Sequence, residues 1–95
     1  MNSKLIEMRI VAEVVIEKNL SEIHKAYERG YMMAMYDKHQ IGLKHAYDKL
    51  NLLLPNGYRN NLSFGEAMQL NSAIQSFLST KLKGISYGKE KQTIS

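Results

Sequence analysis

The sequence predicts an all-α fold, a small helical bundle built from a long N-terminal helix, a second helix and a C-terminal helix, assembled as a homodimer. Three observations carry that expectation. Apolar residues recur at spacings of three and four, not two. One proline and six glycines in 95 residues leave few breaks. The punctuation that does occur has the form of helix caps.

The first helix is expected to start at Ser3 and cover most of 4–35. Ile10-Val11-Ala12-Glu13-Val14-Val15-Ile16 is β-branched enough to suit a strand. The helical reading prevails because Leu5, Ala12, Ile16, Leu20, Ile23, Tyr27 and Ala34 fall on one face at 100° per residue. Lys18-Asn19-Leu20-Ser21-Glu22 and Gly30 are the places where this helix would break. A second helix over 38–53 is expected to open with Asp37 as N-cap, Gln40 at N3 and a Tyr36–Ile41 staple, and to stop before Pro55-Asn56-Gly57. Ser63 and Glu66 form a capping box for a third helix over 64–83, and Gly84 after Lys81-Leu82-Lys83 reads as its end. The chain then divides into one helical domain, 1–84, and a flexible basic tail, 85–95.

A continuous first helix would be about 50 Å long against roughly 25–30 Å for the other two. Its surplus apolar face needs cover, so the first helices are expected to pair across a two-fold axis through Leu5, Ala12, Ile16, Leu20 and Ile23.

Composition narrows the function. With no cysteine there is no thiolate metal site and no Cys nucleophile. His24, His39 and His45 lack metal-ligand spacing and read as solvent-facing residues in local pairs, and no serine has a nucleophile-elbow context. Neither a catalytic centre, a metal nor a cofactor is expected. The start shows no signal-peptide pattern and no apolar run reaches the roughly 18 residues of a membrane span, which points to the cytoplasm.

Two regions remain as candidate sites. Tyr31-Met32-Met33-Ala34-Met35-Tyr36 places three of the six methionines between two tyrosines. A helical stretch of that length points to all sides, so Tyr31, Met32, Met33, Met35 and Tyr36 cannot all enter one core, and methionine suits an adaptable binding surface. Charge is also uneven: residues 1–37 hold five basic and six acidic groups, residues 38–95 eight and three. Arg59, Lys81, Lys83, Lys89 and Lys91 would serve an acidic partner, or nucleic acid with Tyr58 and Tyr87 stacking on bases.

Leu62-Ser63 at the start of the last helix, followed by Ile85-Ser86-Tyr87-Gly88, together with the size and basic charge, resembles the pediocin-type bacteriocin immunity proteins over about a quarter of the chain. That resemblance implies an antiparallel four-helix bundle that neutralises a toxin assembly, with the first helix broken near Asn19. It implies no site residues.

The sequence thus points to a non-enzymatic helical interaction protein, a regulator, adaptor or inhibitor that binds a protein partner. The alternatives are a nucleic-acid-binding regulator using the basic half and an immunity-type bundle.

Overall fold

A computed structural model describes the backbone of residues 3–94 and the side chains of residues 3–82. Four helices follow one another: α1 Ser3–Lys18, α2 Leu20–Met33, α3 Lys38–Leu53 and α4 Phe64–Ile94. No strand occurs among the described residues, so the β-branched run 10–16 lies inside α1.

The long first helix is corrected to two. Asn19, with φ −118° and ψ 24°, separates α1 from α2. Its side-chain amide donates to the Val15 carbonyl at 2.9 Å, the oxygen that its own backbone N–H already uses at 3.1 Å. A side-chain donor on the i−4 carbonyl competes with the ladder and bends the helix. The other candidate break, Gly30, is buried inside α2.

α2 and α3 form an antiparallel hairpin held at close range by two glycines. A Cβ on Gly30 would lie 2.7 Å from the His45 ring, and one on Gly42 would lie 2.8 Å from the Tyr27 ring and 2.9 Å from the Tyr27 carbonyl oxygen. Such approach is open only to residues without a side chain.

Capping went as expected at one helix and not at the other. Ser63 Oγ accepts the Glu66 amide at 3.2 Å while the Glu66 carboxylate accepts the Ser63 amide at 3.0 Å, the reciprocal pair that opens α4. Asp37 instead takes a left-handed conformation, φ 50° and ψ 48°, and makes no side-chain cap bond. Tyr36 is too exposed to staple Ile41. The left-handed residue directs the entry into α3, a position Asp tolerates better than most side chains.

Between α3 and α4, Leu54 leaves the helix in an extended conformation and Gly57 takes φ 70°, as the Pro55-Asn56-Gly57 stop predicted. α4 does not end at Gly84. Its backbone continues to Ile94, so the expected loose tail over 85–95 is helical wherever it is described. One glycine in a helix costs only about 1 kcal/mol relative to alanine and need not end it.

The core gathers Ala12 and Ile16 of α1, Ile23 and Tyr27 of α2, Leu43, Ala46 and Leu50 of α3, and Leu70, Ile74, Leu78 and Leu82 of α4. α4 runs antiparallel to α3, for His39 meets Ser79 while Arg59, beside Tyr47, holds Asn71. It runs in the same sense as α1: Lys4 donates to the carbonyl of Asn61 just before α4 begins, and Glu17 pairs with Lys81 further along it. Four helices and a break at Asn19 are present, but α1, α2 and α4 run in one sense and only α3 in the other, so α1 does not fold back on α2 and the all-antiparallel order that the immunity-protein resemblance implied is not formed.

Candidate functional site

The α2–α3 turn brings the methionine cluster to one tip of the hairpin. α2 ends at Met33, Ala34 is extended at φ −81° and ψ 143°, and the left-handed Asp37 closes the turn into α3. Both helices are committed to the close approach at Gly30 and Gly42, so the tip is carried on a stiff base.

Beneath it lies a layer of rings. Tyr31 is half-buried, 5.9 Å from Tyr27 centroid to centroid, with the Lys38 ammonium 5.6 Å above its ring. The Tyr27 hydroxyl hydrogen-bonds with His39 Nδ1 at 2.8 Å, and His39 Nε2 with Ser79 Oγ at 3.2 Å. This chain fastens α2, α3 and α4 together just behind the turn.

Above that layer four large side chains stand in solvent: Met32 is 80% exposed, Met33 69%, Met35 83% and Tyr36 80%. The five residues expected to form one surface therefore divide, with Tyr31 packed beneath and the other four exposed. An apolar cluster that supports nothing inside the molecule and sits on a braced turn is suited to fill a concavity in a partner.

Comparison with protein-family models, with characterised proteins and with solved structures finds no match to this chain. What the surface can do must therefore come from its own chemistry.

The other candidate residues are placed differently. Arg59 is half-buried and faces inward: Nε donates to Asn71 Oδ1 at 2.8 Å, Nη2 to the Tyr47 hydroxyl at 3.3 Å, and the guanidinium lies 5.5 Å from the Tyr58 ring. Lys81 pairs with Glu17 at 3.0 Å and covers the Phe77 ring. Both serve the fold, so these two do not form an open phosphate-contacting surface. The side chains of Lys83, Lys89 and Lys91 lie outside the described residues.

The stripe expected to pair two subunits is spent within one chain. Ala12, Ile16 and Ile23 are buried in the core, with Leu5 and Leu20 packed against it. The break at Asn19 also removes the mismatch in length on which the dimer rested.

Sequence reasoning missed the role of His39. Expected to face solvent, it is a half-buried bridge between Tyr27 and Ser79. Its spacings of 12 and 40 residues from those partners leave no local signal. This hydroxyl–imidazole–phenol chain ties α2, α3 and α4 to one another. His24 faces Glu28 at 3.8 Å as the local spacing indicates, yet its side chain is only 13% exposed, and His45 packs its ring against Gly30, so neither of them stands in solvent as expected. Among the described residues no group of three or more His, Asp or Glu is placed to hold a metal, and no helix is long and apolar enough to cross a membrane.

Two grooves flank α4. The one against α1, of about 430 Å³, is lined by Ala12, Ile16, Ile74 and Phe77 together with Arg9 and Glu13. The one against α3 carries the neutral amides and hydroxyls of Gln40, Asn71, Ser72, Gln75, Ser76 and Ser79. In the α3–α4 loop the Tyr58 hydroxyl donates to the Met8 carbonyl, tying the loop to α1, and burial pushes its pKa above the ordinary 10.0, the nearby Arg59 charge opposing that rise.

Proposed function

We propose that this is a non-enzymatic interaction protein, a regulator, adaptor or inhibitor, that binds a protein partner through the tip formed by Met32, Met33, Met35 and Tyr36. The observation that supports it is the pairing of high exposure with a rigid base: four large apolar or amphipathic side chains sit on a turn braced by Gly30, Gly42 and the Tyr27–His39–Ser79 chain. Flexible methionines adapt to a pocket, and the braced turn limits the ordering entropy paid on binding. A pull-down from the native host with nuclease-treated eluates tests it. A protein retained by the wild-type chain and released by M32S/M33S/M35S, with helicity unchanged by circular dichroism, is the expected result. Retention that survives the triple substitution, or that disappears with nuclease, counts against it.

A narrower form of the same reading, that the chain neutralises a toxin assembly as its likeness to immunity proteins implies, has the four helices and the break at Asn19 in its favour and the same-sense α1–α4 pair against it. Expression in a host sensitive to a pediocin-type bacteriocin tests this directly. Protection is expected, and a host that stays fully sensitive to a panel of such bacteriocins would sink it.

A further inference from the structure

We propose that the same tip is a reversible oxidation site, at which a peroxide converts Met32, Met33 and Met35 to sulfoxides and turns the surface from apolar to polar without disturbing the fold. The consequence for partner binding rests on the reading just given; the chemistry does not.

Methionine oxidation follows exposure of the thioether. These three are 80%, 69% and 83% exposed, whereas Met68 is 54% exposed and Met8 packs against the core. In the reaction a sulfur lone pair attacks one peroxide oxygen, the O–O bond breaks, sulfur loses two electrons and the peroxide is reduced to water. Each sulfoxide adds a dipole and a hydrogen-bond acceptor to a side chain that had neither of consequence. At Met8 that change would force a polar oxygen against the apolar core. At the tip it is met by water, so the fold bears no cost.

Placement also favours the return step. Sulfoxide reductases supply two electrons and two protons from thiols and release the oxygen as water. Met33 is the last residue of α2 and Met35 lies in the non-helical turn, where backbone and side chain can enter an enzyme's cleft without unwinding a helix.

The test uses the purified chain and graded hydrogen peroxide, read by peptide-level mass spectrometry, circular dichroism and retention on a phenyl matrix. Met32, Met33 and Met35 are expected to gain one oxygen each before Met68 and Met8, with helicity unchanged and phenyl retention lowered. Reductases A and B with a dithiol should then restore both mass and retention. M32L/M33L/M35L, which keeps an apolar tip that cannot form sulfoxides, should hold its retention throughout. Oxidation of Met8 in step with the tip, loss of helicity as the tip is oxidised, unchanged phenyl retention, or sulfoxides that the reductases leave in place would each overturn the inference. None of these outcomes depends on the partner, so failure of the pull-down and failure of the oxidation site are read separately.

Discussion

Single residues set the geometry of the hairpin. Gly42 lies against both the ring and the carbonyl oxygen of Tyr27, and a backbone oxygen cannot swing aside as a side chain can. Gly42→Ala should therefore lower stability by about 1–3 kcal/mol through overpacking, despite alanine's better helix propensity. Urea unfolding measures this, and a variant as stable as the wild type would show that the two helices are not held at that distance. Tyr58 supplies a pH signature. Its folded-state pKa is raised, so the folded chain keeps the proton that the unfolded chain releases as pH passes 10.0. The contribution is complete below that pH and is lost as pH rises through the higher folded value. Stability of the wild type should fall at alkaline pH more steeply than that of Tyr58→Phe, whose lower starting stability reflects the lost bond to Met8. Parallel decline in the two proteins would remove Tyr58 from the account.

At the scale of elements, α1 is apolar on both sides. Ala12 and Ile16 face the core, while Ile6, Ile10 and Val14 run along the outside at i, i+4 and i+8, from 38% to 53% exposed. Ile16→Asp should unfold the protein, since an unpaired carboxylate would enter a fully buried site. Ile10→Asp should leave thermal stability within roughly 0.5 kcal/mol of wild type. Equal damage from both would reveal that the outer stripe is covered. α4 depends on its cap: Ser63→Ala should cost on the order of 1 kcal/mol, measured by denaturant unfolding, because the Glu66 amide loses its acceptor. A cost near zero would place the effective start of α4 later than Phe64.

The whole molecule measures 46 × 23 × 21 Å, elongated because α4 outruns its neighbours. The core is closed within one chain: the face of α1 once expected to seek a second copy is covered by α2, α3 and α4. What α1 still offers is a patch of four part-exposed β-branched residues, Ile6, Ile10, Val11 and Val14, small beside the roughly 800 Å² per partner of a standard stable interface. Light scattering should accordingly report the mass of one chain at micromolar concentration. A dimer that Ile10→Asp dissociates would show instead that the outer stripe is an interface.

Local chemistry determined much of this protein. Ser63 and Glu66 announce the start of α4 because a capping box needs only residues three apart, and Pro55-Asn56-Gly57 ends α3 because its restrictions on φ are intrinsic. The exposure of the methionine cluster was legible too, since six consecutive residues cannot share one interior face. Asn19 was nameable as a breakpoint, but that the chain bends there and not at Gly30 was decided by packing: α3 presses so closely on Gly30 that α2 must be regular at that point. Tertiary structure likewise set the inward turn of Arg59, the bridge made by His39 and the covering of Ile16. Each joins residues far apart in the chain, and such contacts have no period or spacing for a sequence to display. Of the tip, the sequence supplied the side chains; only the close approach of α2 and α3 made it rigid.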